Sequence, residues 1–152
     1  CTMEDKMEKT KVKFIKLNEN AVVPTYGTQY SAGADLYASE ECEIGAGKTV
    51  MVHTALAMEI PEGFGGFVFA RSGLATKRGL APANKVGVID SDYRGEIMVS
   101  LYNQSGETQV VAKGERIAQL VIIPYITAKF IESDALSETV RGEGGFGSTG
   151  RK

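Results

Sequence analysis

This 152-residue sequence has a single histidine, His53, and two cysteines, Cys1 and Cys42. That scarcity excludes a disulfide framework, for which the two thiols have no suggestive spacing. It also excludes a protein-borne tetrahedral zinc site, which would run short of soft ligands. A metal used by such a chain is a hard ion held by oxygens and phosphate. No apolar run approaches a membrane span, and nothing near the start has the apolar segment of a signal peptide. A cytosolic location is therefore expected, or a nuclear one in a eukaryote, with no membrane partner. An excess of basic charge is missing too: 17 Lys and Arg stand against 19 Asp and Glu, a net charge of −2. Long nucleic acid is not an expected partner. An anionic ligand would have to find its positive partners locally.

Helical periodicity is scarce as well. Only Leu74 to Arg78 has room for a short helix, whereas a parallel α/β fold needs a helix between successive strands. Period-two alternation is what the sequence offers: in Ile97-Met-Val-Ser-Leu-Tyr102, Ile97, Val99 and Leu101 share one face and Met98, Ser100 and Tyr102 the other. Similar β-rich runs lie at Lys11 to Leu17, Thr49 to Thr54, Ala55 to Ile60, Phe67 to Ala70, Thr108 to Val111 and Ile117 to Ile131, punctuated by Gly, Pro, Asn or Ser. The expectation is one all-β domain, a sandwich, jelly roll or barrel, with an ordinary globular composition of 43% hydrophobic and 24% charged residues. Residues 1–10 are expected to be disordered or appended, 11–135 to form the β domain and 136–152 to form a flexible arm.

The arm is the most informative stretch. Arg141-Gly-Glu-Gly-Gly-Phe-Gly-Ser-Thr-Gly150 combines a charged fork, five glycines, two hydroxyls and one aromatic face. These are the groups that a triphosphate-bearing nucleotide needs. It is not a Walker A loop, because no Gly-Lys-Ser/Thr follows at the required spacing and no helix comes after. A glycine-rich disordered terminus is the plainer reading of the same residues.

Four internal segments carry chemistry-bearing residues, each with a structural alternative. Asp35, in Ala32-Gly-Ala-Asp-Leu36, could hold a hydrated magnesium ion or simply cap a turn. Arg71, Ser72 and the Gly73 amide stand where donors point outward at a helix start, as a phosphate cradle or as a serine N-cap beside a surface arginine. Between Asn84 and Gly95, Val86 to Ile89 reads as a strand and Asp90 to Gly95 as a turn into the Glu96 to Asn103 strand. The result would be a β-hairpin whose Gly87 permits close backbone approach. Exposed main-chain groups there could read a pyrimidine edge, and Asp90 could be a base for water or an ordinary turn former. In Gly114-Glu-Arg-Ile-Ala-Gln-Leu120, alternation puts Arg116, Ala118 and Leu120 on one face. Gln119, on the other face with Ile117 and Val121, is expected to bond to another loop rather than to a ligand. His53, Tyr26, Tyr30 and Tyr37 carry little weight as catalysts.

Taken in order, Ala32 to Leu36, Arg71-Ser-Gly73, Gly87 to Gly95, Gly114 to Leu120 and Arg141 to Gly150 resemble the five motifs of the homotrimeric dUTPase family, over about residue 12 to the end. The resemblance implies a jelly-roll-like antiparallel β domain, a homotrimer with active sites shared between subunits, and hydrolysis of dUTP to dUMP and pyrophosphate with Mg2+ bridging phosphate oxygens. It implies Asp90 as the general base and Tyr93 beneath the deoxyribose. Gly87, Val88, Ile89 and Asp90, with Asn84 and Met98, would read uracil. Arg71, Ser72 and Gly73 would cradle the α/β-phosphates, supported by Gln119, and Asp35 would touch the magnesium hydration shell. Arg141, Phe146, Gly147, Ser148 and Thr149 would close over the site, with Phe146 on uracil. Ala70 departs from the pattern where proline is frequent, and Lys85 lies in a variable loop. A dCTP deaminase, sharing fold and trimer, would need a proton-shuttling acid near the base. A non-catalytic nucleotide-gated binding protein would fit degraded motifs better.

Overall fold

The computed structural model describes residues 9–147 and 150. Among them the order is β1 (Lys13–Lys16), β2 (Thr25–Tyr26), β3 (Ala34–Tyr37), β4 (Cys42–Ile44), β5 (Thr49–Glu59), β6 (Phe64–Phe69), α1 (Ser72–Arg78), β7 (Leu80–Pro82), β8 (Gly87–Ile89), β9 (Glu96–Asn103), β10 (Gln109–Val111) and β11 (Arg116–Pro124). A four-stranded sheet runs β1-β5-β9-β7, a five-stranded one runs β2-β3-β11-β6-β8, and β10 pairs with β4. Every pairing is antiparallel. No helix among the described residues is long and apolar enough to cross a membrane.

The alternation read in β9 is what buries it: Ile97, Val99 and Leu101 are buried while Met98 and Tyr102 are exposed. Together with Leu36, Ile44, Val52, Leu56, Val68, Leu80, Ile117 and Leu120 they form one core, each large side chain contributing roughly 1.5–3 kcal/mol by leaving water. Two buried polar residues fasten the architecture. Thr54 Oγ1 donates to the Ile97 carbonyl at 2.6 Å, and Asn103 Nδ2 donates to the carbonyls of Ile44 at 2.8 Å and Glu107 at 2.7 Å.

Four expectations need correction. The two runs Thr49 to Thr54 and Ala55 to Ile60 are one strand, β5, bent by a register shift between His53 and Ala57, where Ala55 takes φ +58°. A period count cannot see such a bulge because the flanking residues keep their alternation. The strand begun at Ile117 ends at Pro124 rather than Ile131, since its partner β6 runs out at Phe64. The segments at β8 and β9 do not form a hairpin: β8 pairs with β6 in the five-stranded sheet and β9 with β5 and β7 in the four-stranded one. The Asp90 to Gly95 turn therefore carries the chain from one sheet to the other. Finally, a shift between Arg116 and Ala118 moves Arg116 out of register with Ala118 and Leu120, so that it faces the same side as Gln119, opposite Tyr37.

Candidate active site

The expected site residues fall into three groups in the folded chain. The first straddles the centre of the five-stranded sheet. Register aligns Asp35 on β3 with Gln119 on β11, and Gln119 with Phe69 at the end of β6, one residue from Ala70 and two from Arg71. Asp35 Oδ1 meets Arg71 Nε at 3.0 Å and Asp35 Oδ2 meets Arg116 Nε at 3.7 Å, with the Asp35 side chain only 15% exposed. Asp35 thus sits mid-strand between two guanidiniums rather than capping a turn. Gln119 Nε2 donates to the Ala70 carbonyl at 2.9 Å, the loop contact expected of it, and fixes the backbone just ahead of Arg71. This close fit needs glycine at position 33, where an added Cβ would lie 3.0 Å from the Gln119 Cβ and overlap its amide.

Ser72 and Gly73 open α1, but the N-cap is Arg71, with extended backbone and no side-chain cap bond. Ser72 is therefore the first helical residue and not the serine cap considered from sequence. Ser72 and Gly73 are exposed beside Arg71. Arg116 was not singled out as a site residue, although it lies in the Gly114 to Leu120 segment. The Arg116 guanidinium stands 5.9 Å from the centre of the Tyr37 ring. Hydrogen bonds with Thr25, at 2.5 Å, and with Arg116 hold the Tyr37 phenol below its ordinary pKa. Two arginines on one carboxylate make a positive face that can exchange that carboxylate for phosphate oxygens.

The second group lines a depression of about 210 Å³ formed by Met51, Val88, Ile89, Asp90, Tyr93, Glu96 and Met98. Five of these were expected to meet at the nucleoside. Tyr93 folds back so that its hydroxyl donates to the Glu96 carbonyl at 2.8 Å. The ring passes over Gly95, where an added Cβ would lie 2.5 Å from the phenol oxygen. Gly95 is the residue that lets this tyrosine lie flat. Gly87 and Asn84 adjoin the same edge, an added Cβ on Gly87 lying 3.5 Å from Asn84 Nδ2 and 3.3 Å from Val68 Cβ. Asp90 is exposed and within reach of an incoming molecule. It also borders a wider groove of about 850 Å³ with Glu59, Glu62, Asp92, Arg94 and Tyr125.

Glu96 and Met51 were missed, and so was the partner of His53. The Glu96 carboxylate accepts from His53 Nδ1 at 2.9 Å and from the Ala55 amide at 2.9 Å. The bond from His53 to Glu96 outweighs burial and raises the imidazole pKa above its ordinary value. Nothing in the spacing of residues 53 and 96 signals this, because the contact depends on the β5 bulge.

The third group is the arm. After Tyr125, whose amide donates to the Gly63 carbonyl at 3.0 Å, the described chain is exposed except at the half-buried Gly144 and Gly145: Ile126 is 96%, Phe130 95% and Phe146 114% accessible. Arg141 Nε donates to the Gly144 carbonyl at 2.7 Å, and the Gly142 amide donates to Thr139 Oγ1 at 3.0 Å. Gly147 has φ +88°. Ser148 and Thr149 lie outside the described residues. Among the described residues no hydrogen bond or ion pair joins the arm, the nucleoside depression and the Asp35 cluster to one another.

A dUTPase family model matches residues 19–150. The chain belongs to the dUTPase family. The deoxyuridine 5'-triphosphate nucleotidohydrolase of Desulfitobacterium hafniense is 52% identical over 145 residues, covering 93% of this dUTPase-family chain and 96% of that protein. The Nautilia profundicola protein of the same name is 49% identical over 141 residues, covering 93% and 99%. Among solved structures, a mutant Staphylococcus bacteriophage 80alpha dUTPase with dUpNHpp superposes with a TM-score of 0.87 at 27% identity, covering 93% of this chain and 99% of that one. A mutant dUTPase of phage phi11 of S. aureus, described as revealing coordination of a structural Mg(II) ion, gives 0.77 at 25% identity, covering 83% and 98%. The antiparallel fold with its one short helix agrees with this family.

Proposed function

We propose that this chain hydrolyses dUTP to dUMP and pyrophosphate, limiting uracil incorporation into DNA and supplying the precursor of thymidylate. The observation that carries the reading is the convergence of Asp90, Tyr93, Val88, Ile89 and Met98 on one depression in a chain about half identical to named dUTP nucleotidohydrolases. Asp90 is the base that orients and deprotonates the attacking water, whose oxygen forms the new bond to the α-phosphorus as pyrophosphate leaves. Tyr93 lies flat beneath the deoxyribose, and a 2′-hydroxyl there would collide or stay unpaired. Main-chain groups of Gly87 to Ile89, with Asn84 and Met98, read the uracil edge. Arg71, Arg116 and the Ser72 and Gly73 donors receive phosphate oxygens, and Gln119 holds the Ala70–Arg71 backbone in place.

The donor set suits Mg2+ bound through water. No group of three or more His, Cys, Asp or Glu gathers among the described residues, so no all-protein cage exists there. One fixed carboxylate beside substrate phosphates is the arrangement in which a hydrated magnesium is ordinarily held. Asp35 would hold it through its water shell, and the ion would offset charge on the phosphate chain. The working unit is a homotrimer with sites shared between copies, and the arm from residue 136 onward closes over them. Three groups that share no side-chain bond, and a chain after Tyr125 that exposes Ile126, Phe130, Ile131, Leu136 and Val140, support that arrangement. Arg141, Phe146, Gly147, Ser148 and Thr149 would act from that arm, Phe146 over uracil and the polar groups on the γ-phosphate.

Pyrophosphate release with magnesium and dUTP, dCTP, TTP or UTP tests the reading, run beside Asp90→Asn. Turnover of dUTP alone, lowered about 10²- to 10⁴-fold in the variant, is the expected result. Binding of dUTP with no turnover of any nucleotide would contradict it.

A further inference from the structure

Glu96 sits where the chain leaves the Asp90 to Gly95 turn and enters β9, and all of its acceptors are engaged. Its carbonyl takes the Tyr93 hydroxyl at 2.8 Å, Oε2 takes the Ala55 amide at 2.9 Å and Oε1 takes His53 Nδ1 at 2.9 Å. The Ala55 amide needs that acceptor because the β5 bulge removes it from the ladder, and an unpaired donor at a residue 1% exposed would be costly. The nucleoside depression is otherwise walled on this side by Met51 and Met98, unbranched side chains that fill space without defining it. His53 lies opposite Met98 in the β5–β9 register. Among the described residues of this wall, Glu96 is the one held by charge-assisted bonds, to His53 and to the Ala55 amide.

We propose that Glu96 is a positioning residue for the nucleoside depression, one that sets its width by clamping the β5 bulge and His53 with its carboxylate while its carbonyl holds the Tyr93 phenol. This rests on the reaction proposed above. The two halves of the clamp act on different elements: the carboxylate fixes β9 against β5, and the carbonyl fixes the turn that bears Asp90 and Tyr93. A nucleoside wedged between them tightens the His53–Glu96 contact, so occupancy of the depression and protonation of His53 are linked. The other charged group facing the imidazole is Glu40, on the loop between β3 and β4, with Oε1 4.0 Å from Nε2.

Because His53 is the sole histidine, its imidazole NMR signals report one residue without assignment by mutation. Saturating the wild-type protein with dUMP is expected to raise the His53 titration midpoint. By reciprocity the Kd for dUMP then increases as pH rises through that midpoint, and the KM for dUTP is expected to follow it. Glu96→Ala is expected to raise KM about tenfold with kcat held within about threefold. The isosteric Glu96→Gln keeps KM within about threefold of wild type at pH 8 but abolishes the pH dependence. A His53 midpoint unmoved or lowered by dUMP, or an unchanged KM in Glu96→Ala, would overturn the proposal. If Glu96→Ala does not fold, the wild-type titration and Glu96→Gln decide it. Failure of the wild type to hydrolyse dUTP would sink the reaction itself, whereas an active enzyme with an indifferent His53 would sink only the positioning role.

Discussion

The site residues of the β domain and those of the arm are held in opposite ways. Asp35, Arg71, Gln119 and Tyr93 each have a partner fixed by sheet register or by a neighbouring turn, so their placement comes with folding. Arg141, Phe146 and Gly147 lie in a stretch whose bonds are local, beside apolar side chains that no surface of the same chain covers. The contrast teaches that preorganisation and closure are divided between regions. In the proposed reading the sheets would set where charge and base-edge groups wait, and the arm would contribute only once something outside its own chain orders it.

Ending the chain at Val140 should break the comparison most severely. Turnover of dUTP is expected to fall about a thousandfold, because closure excludes water and strengthens the contacts to phosphate. The melting temperature should move by less than about 2 °C, since no described body contact is lost. A calorimetric scan beside the activity assay checks both, and a large drop in melting temperature would make the arm structural. Asp35→Asn should have a middling effect on the β-domain side. It removes the anion between Arg71 and Arg116 and is expected to lower turnover about ten- to hundredfold while raising the magnesium concentration needed for half-maximal rate. Magnesium titration measures this, and a loss independent of magnesium would remove Asp35 from that role. The smallest effect belongs to the bulge. Ala55→Gly relieves a left-handed alanine and should leave stability unchanged or higher by up to about 1 kcal/mol, whereas Ala55→Val should cost at least about 2 kcal/mol in urea unfolding at fixed protein concentration.

Much of this was legible in the sequence because it depends on residue type in order. The alternation of β9 and the helix near Leu74 stand where expected, and Gln119 falls on a strand as its alternation implied. What escaped depends on register. Strands as short as Thr25–Tyr26, Cys42–Ile44 and Leu80–Pro82 exist because a neighbour pairs with them, with too few residues for a period to show. The pairing of β8 with β6 instead of β9 follows from the sandwich geometry, and a turn of the same composition would serve either connection. The bulges at Ala55 and after Arg116 decide that Glu96 meets His53 and that Arg116 meets Asp35. Neither contact leaves a trace in local sequence.

The division of the site between regions is tested most directly by mixing two inactive variants, Asp90→Asn and Arg71→Ala, after dissociation and reassembly together. If depression and phosphate cluster come from different copies, mixed assemblies regain intact sites, and dUTP turnover should exceed the sum of the separately reassembled variants by at least about tenfold. Turnover equal to that sum, with mixed assemblies confirmed by native mass spectrometry, would contradict a shared site and place the whole reaction within one chain.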